Sequence, residues 1–269
     1  RIYTCDHHQM AARRKEILGG VMAQSQFTIK VLRYNPENNQ GPILQEYQVP
    51  TWEGMMVLDA LNYIRDELDP SLAYRWSCRM GICGSCGMAV DGKPSLTCQD
   101  RVENYSKGEI SVAPLSNFPV IRDLIVDISD FMTKLQLVKP WIIREVDKDL
   151  SEGEYIQTPK QLALYEHHSA CINCMLCYSA CPVYSLNPKF IGPAAIALAF
   201  RYDLDSRDQG SKLRQPILSS SEGVWDCTFV GECSEACPKG VMPAEAIQRS
   251  KIRYAKEKVF ATLMPWSNR

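Results

Sequence analysis

Residues 27–34 (FTIKVLRY) alternate apolar and polar side chains and are rich in strand formers, the period-two pattern of a half-buried strand. Residues 35–42 (NPENNQGP) are a cluster of turn formers, and residues 44–49 alternate again, so the segment predicts a hairpin. Across residues 56–68 the pattern changes to helical spacing, with Val57, Leu58, Leu61, Ile64 and Leu68 on one face. Short strands are predicted at 87–90 and 110–114, and a helical stretch at 121–137. A polar run fills 147–154. Beyond Thr158 the pattern is mostly helical, with helices predicted over 159–168, 191–202 and 242–263.

This order predicts an α+β chain in two units: a small mixed unit over 26–128 and a helical unit over 161–269, joined by a connector at 129–160. Residues 1–25 read as an N-terminal extension. They hold the basic run Arg13-Arg14-Lys15 with no apolar run after it, so an export signal is not expected. Met22 is the expected natural start, a point N-terminal sequencing checks.

Composition narrows the function. Of 269 residues, 45% are hydrophobic and 23% charged, and the formal net charge is −1. That balance argues against a nucleic-acid binder. The longest apolar stretch, 191–200, is about half of the roughly 18 residues a membrane span needs. Twelve cysteines are the informative excess. A disulfide framework suits small secreted domains. Zinc is the better rival, since C-x₂-C pairs bind it too.

Cys78, Cys83 and Cys86 form C-x₄-C-x₂-C, and Cys98 follows. This is the plant-type [2Fe–2S] spacing. A tight loop supplies three thiolates and a neighbouring strand the fourth. Gly81, Gly84 and Gly87 suit a loop wrapped on a cluster, where the backbone must approach closely and amides point at sulfur.

Cys171, Cys174, Cys177 and Cys181, followed by Pro182, form the bacterial ferredoxin run, whose fourth cysteine serves the other cluster. The partner run keeps the same frame at Cys227, Val230, Cys233 and Cys237, but its second place is valine. Cys171, Cys174, Cys177 and Cys237 therefore make a four-thiolate [4Fe–4S] set. Cys181, Cys227 and Cys233 make a three-thiolate set that suits [3Fe–4S], with Val230 shielding the empty corner. A [4Fe–4S] completed by water or Glu232 is the alternative. Cys5 is left as a bystander.

No catalytic constellation accompanies these sets. There is no G-x-G-x-x-G fingerprint and no P-loop. His167 and His168 read as surface or packing residues, and Arg75, Arg79, Arg201 and Arg207 as solvated or ion-paired. The electron donor and acceptor must come from elsewhere.

The order of the three patterns resembles the iron–sulfur subunit of succinate dehydrogenase and fumarate reductase. So do residues 75–88 (RWSCRMGICGSCGM), Asn187-Pro188, residues 190–194 (FIGPA), residues 205–208 (DSRD) and residues 237–240 (CPKG). The resemblance covers about 26–269. It implies a β-grasp [2Fe–2S] ferredoxin domain followed by a bacterial-ferredoxin-like helical domain. It also implies a flavoprotein partner carrying FAD and membrane anchor subunits holding quinone. Electrons would run between FAD and quinone through [2Fe–2S], [4Fe–4S] and [3Fe–4S]. The expected location is peripheral, on the cytoplasmic side of a bacterial inner membrane. Thr228 and Leu186 stand where succinate dehydrogenases commonly place a quinone-site His and Trp, so the fumarate reductase branch and menaquinone are expected. In that branch Gln248 and Lys251 match quinone-site residues. Two polar residues on a solvated helix face is the plainer reading of that pair. Two other readings of the chain stay open here: a soluble multi-cluster ferredoxin serving another dehydrogenase, and a zinc or structural scaffold.

Overall fold

The computed structural model describes residues 26–38 and 41–263. The expectations for the N-terminal extension, Met22 and Cys5 lie outside the described residues. The alternating segments form β1 (Gln26–Arg33) and β2 (Ile43–Pro50), an antiparallel hairpin pairing Ile29 with Tyr47 and Phe27 with Val49. Those four residues and Val31 are buried. Three more strands follow: β3 (Gly87–Val90), β4 (Lys93–Leu96) and β5 (Glu109–Ala113). The sheet order is β2-β1-β5-β3-β4, with β1 parallel to β5 and the other pairs antiparallel. β4 escapes the sequence pattern because its KPSL is short and carries a proline.

Helix α1 (Val57–Tyr63) packs Val57, Ala60 and Leu61 into the core of this sheet. Its start is tied by the Met56 amide donating to the Asp59 carboxylate at 3.2 Å. Leu68 departs from its expected buried face and is 46% exposed. The helix ends in a wide π turn (Ile64–Leu68) closed by the Asp69 amide on the Ile64 carbonyl, and the extra residue swings Leu68 outward.

The helix expected over 121–137 forms only in its second half, α2 (Ser129–Leu137). The first half is a small antiparallel hairpin, β6 (Val120–Arg122) and β7 (Ile125–Val126). Asp123 decides this. Its buried carboxylate accepts from Arg33 Nε at 3.0 Å and from the amides of Tyr34 at 3.0 Å and Ala73 at 2.9 Å. A helix would withdraw it from those partners.

The second unit is built on α3 (Pro193–Asp203), α4 (Ser211–Leu218) and α5 (Pro243–Leu263). α3 and α5 meet through small residues, Ala197 and Ala246, beside Phe200. The helix expected over 159–168 is shorter. Only Pro159–Leu162 is helical, under a Thr158–Gln161 capping box, and the chain then turns so that Tyr165 is buried. A tight turn, His167–Ala170, follows.

The larger core does not stop at the boundary between units. Leu58, Leu96, Leu115 and Phe118 from the first join Leu176, Tyr178, Phe190 and Ile247 from the second. Phe131 meets Tyr178 edge-on at 5.1 Å, and Tyr178 meets Tyr184 at 4.9 Å. Such pairs add about 0.5–1.5 kcal/mol each beyond the area they bury.

The connector is fastened by one buried cation. Arg214 on α4 donates to Asp203 (3.1 Å) and Asp208 (2.7 Å) and to the carbonyls of Lys139 (3.0 Å) and Trp141 (2.7 Å). Its side chain and both carboxylates are almost wholly out of water.

Candidate metal centres

The first group lies on the loop between α1 and β3. Arg79, Gly81 and Gly84 take left-handed backbone conformations, so the chain curls on itself. The amides of Met80, Ile82 and Cys83 then point at Cys78 Sγ from 3.4, 3.4 and 3.3 Å. These donors lower the Cys78 thiol to about 6, which favours thiolate. Cys86 and Cys98 are brought together by the β3–β4 hairpin, in which Gly87 pairs with Leu96. The Thr97 hydroxyl donates to the Cys86 carbonyl at 3.0 Å. Burial pushes Cys86 up to about 12, and neighbouring Cys98 adds repulsion. Cys83 is exposed and Cys78 half-buried, so one side of the group faces solvent and the other the core. Gln99 Nε2 donates to the Cys98 carbonyl at 3.0 Å, a contact no spacing rule identifies.

The two later runs fold alike. After the first cysteine of each, the second and fourth places are left-handed: Asn173 and Met175 in one, Phe229 and Gly231 in the other. A single helical turn follows, Leu176–Ser179 or Glu232–Glu235, carrying Cys177 or Cys233. Amides again face sulfur: Tyr184 on Cys181, Phe229 on Cys227 and Val241 on Cys237, each at 3.4 Å.

The fold exchanges the last cysteines. Burial pushes Cys174 up to about 11, and Cys171 and Cys237 reinforce it. Burial pushes Cys233 up to about 12, reinforced by Cys181 and Cys227. Cys181 lines one cavity with Cys227 and Cys233, and Cys237 packs with Cys171 against Ala197 and Phe200. Cys177, raised well above its ordinary value by burial, feels Cys174, Cys171, Cys233 and Cys237. It stands where the two groups adjoin. Buried thiols crowded in this way resist ionising unless a cation joins them. Sulfur donors, inward amides and crowding all fit polynuclear iron. Among the described residues no three His, Cys, Asp or Glu side chains converge on a point where a single ion would sit.

Val230, in the position that corresponds to Cys174 of the earlier run, lines a cavity with Cys181, Cys227, Cys233 and Glu232. It is 57% exposed. On α5, Lys251 Nζ donates to the Cys227 carbonyl at 2.6 Å. One turn earlier, Gln248 Nε2 is buried without a hydrogen-bond partner among the described residues. His168 is fully buried, with Nδ1 2.8 Å from the Val241 carbonyl. Arg201 and Arg207 both pair with Asp205.

Known proteins share this arrangement. A family profile described as "2Fe-2S iron-sulfur cluster binding domain" matches residues 28–133, and one described as "4Fe-4S dicluster domain" matches 167–241. A "Fumarate reductase iron-sulfur subunit" of Mycobacterium tuberculosis is 56% identical, over 88% of this chain and 96% of its own. One from Escherichia coli O6:H1 is 53% identical with the same coverage. A "Succinate dehydrogenase iron-sulfur subunit" of Coxiella burnetii is 36% identical over 86% of this chain and 97% of its own. Among solved structures, a chain of "Mycobacterium smegmatis Sdh1 complex in the apo form" superposes with a TM-score of 0.74. It is 28% identical over 88% of this chain and 98% of that one.

Proposed function

Because this chain belongs to the family of iron–sulfur subunits of fumarate reductase and succinate dehydrogenase, we propose that its three thiol groups hold three clusters in series. Cys78, Cys83, Cys86 and Cys98 hold a [2Fe–2S]. Cys171, Cys174, Cys177 and Cys237 hold a [4Fe–4S]. Cys181, Cys227 and Cys233 hold a [3Fe–4S]. The chain is an electron-transfer subunit of that oxidoreductase, and the dicarboxylate chemistry belongs to the flavoprotein partner. When bound, the clusters supply the one-electron steps that connect the partner's FAD with quinone.

The observation that supports this reading is that Cys181 lines one cavity with Cys227 and Cys233, while Cys237 packs beside Cys171 of the earlier run, an arrangement that suits three thiols in one group and four in the other. The chain's own residues do the rest. They supply thiolates, aim amides at sulfur to stabilise negative charge, and keep water from Cys86, Cys98 and Cys177. Low-temperature EPR of the air-oxidised complex is expected to show one [3Fe–4S] signal per chain. A silent oxidised sample would refute the three-thiol assignment in favour of a completed [4Fe–4S].

Two exposed apolar sets suit the two partners. Met80 and Ile82 crown the first loop, and we read them as facing the flavoprotein. Leu186, Phe229 and Val230 are exposed around the three-thiol group, and we read them as facing a membrane anchor. Among the described residues no helix is long and apolar enough to cross a membrane, which is why the reading includes an anchor. The chain then lies peripherally on the cytoplasmic face of the membrane. The higher identity to fumarate reductase subunits supports that branch and menaquinone as its quinone.

Lys251 has three N–H donors, of which one serves the Cys227 carbonyl. The others, with the unpartnered Gln248 amide, are available to a quinone carbonyl. Lys251→Ala is expected to slow quinol oxidation by roughly ten- to a hundredfold, the worth of one charge-assisted hydrogen bond. Unchanged quinol kinetics with intact EPR signals would remove Lys251 from the site.

A further inference from the structure

The first two thiol groups belong to different units, yet their loops meet closely at two glycines of the first. A Cβ placed on Gly84 would stand 2.9 Å from the Ile172 carbonyl oxygen and 3.0 Å from Cys174 Cα. One on Gly87 would stand 3.1 Å from the Cys174 carbonyl oxygen and 3.1 Å from Leu176 Cδ2. The backbone of the Cys83–Cys86 segment therefore rests on the backbone that carries Cys174.

A single side chain clamps the same junction. Asn117, left-handed at φ 68, donates its Nδ2 to three carbonyls of the second unit: Tyr178 at 2.9 Å, Ser179 at 3.0 Å and Cys181 at 3.2 Å. Those carbonyls end the turn that holds Cys177 and open the one that follows Cys181. Two amide hydrogens shared among three acceptors fix a direction as well as a distance. Asn117 also lies between Leu115 and Phe118, both in the core that spans the two units.

We propose that Asn117 is a positioning residue that, with the bare faces of Gly84 and Gly87, sets the separation of the first and second clusters. This rests on the ligand reading above. Tunnelling falls exponentially with distance, so a backbone-on-backbone contact fixes a rate that a contact between long side chains would leave variable. Asn117 touches no thiol in this arrangement. It acts through the turn that bears Cys177 and through the backbone carbonyl of Cys181.

The test uses the intact complex carrying Asn117→Gly, which keeps the left-handed backbone accessible and removes the amide. Magnetic coupling between two reduced clusters also falls steeply with distance, and it speeds relaxation of the [2Fe–2S] EPR signal. The expected result is parental iron content and unchanged spectra for each cluster, with relaxation of the reduced [2Fe–2S] signal slowed severalfold. Gly87→Ala, whose backbone is not left-handed, is expected to shift it in the same direction. If Asn117→Gly sheds iron, Asn117→Asp keeps the shape while turning an acceptor toward the three carbonyls, and the same relaxation measurement decides. Parental relaxation in Gly87→Ala and in the Asn117 variant, with full iron content, would overturn the proposal and leave Asn117 as ordinary packing. A parent complex without a [4Fe–4S] signal would overturn the ligand reading itself, and the proposal with it.

Discussion

Val230→Cys is expected to abolish the oxidised [3Fe–4S] EPR signal and replace it with a signal that appears only on reduction. The side chain lines the same cavity as Cys181, Cys227 and Cys233 and stands where the matching run has Cys174. A thiolate there would complete a four-ligand set and admit a fourth iron. It would also add negative charge beside the centre, which lowers its reduction potential. Valine can do neither, since it has no lone pair to donate. Iron per chain is expected to rise by one atom, and electron exchange with quinol to fall sharply as the potential moves away from that of the quinone. An unaltered oxidised signal with the mutant cysteine present would show that Val230 does not occupy a ligand position.

The second large effect concerns folding. Arg214→Ala is expected to destabilise the helical unit by about 3–5 kcal/mol, the usual cost of leaving buried charges without their partner. The cost is large because Arg214 answers two carboxylates and two carbonyls at once. Burial raises the Asp203 pKa above the usual carboxylate range, despite Arg214 and Arg253. Asp208 is held below that range, against its own burial, by Arg214 and the amides of Ile143 and Gly210. Without the guanidinium, Asp203 would be left with Arg253 at 3.7 Å and Asp208 with its amides alone. The carbonyls of Lys139 and Trp141 would lose their donor, loosening the connector. Since a total of 5–15 kcal/mol is typical of a domain, this is a substantial share. Loss of visible cluster absorbance on heating, compared at a fixed scan rate, measures it. Arg214→Lys is expected to fall between, since it keeps the charge but not the fork. Coincident melting of parent and Arg214→Ala would show the network to be neutral.

Much of the site was legible from spacing alone. Cysteines in fixed frames single out the residues proposed to hold each cluster, and one valine in a cysteine's place singles out the ligand proposed to be missing. The β1–β2 hairpin was legible for the same reason, since its alternation is uninterrupted and its turn is rich in Asn, Pro and Gly. Residues 120–126 were not. Val120, Ile121, Leu124, Ile125 and Val126 fit a helical stripe as well as two short strands, and the choice was made by Arg33, Tyr34 and Ala73 reaching Asp123 from far along the chain. Leu68 misled because a π turn breaks the period that placed it. Asn117, Gln99 and His168 carry no periodic signal, and their importance lies wholly in distant carbonyls. Lys251 and Gln248 stood out only by resemblance, yet one now touches the backbone of Cys227.

Under the proposed ligand assignment, the exchange of Cys181 and Cys237 would also order the birth of the protein. A ribosome moving from the N-terminus has delivered every thiol of the first group once it passes Cys98. It has then to reach Cys233 before the three-thiol group is whole and Cys237 before the four-thiol group is. The early run at 171–181 cannot be matured when it emerges, because one of its partners is not yet synthesised and its own last cysteine is promised elsewhere. Both later groups close within four residues of each other, at Cys233 and Cys237. On that assignment metallation of the helical unit would be a single late event, and a chain broken off before residue 233 would leave both of its later groups short of a thiol.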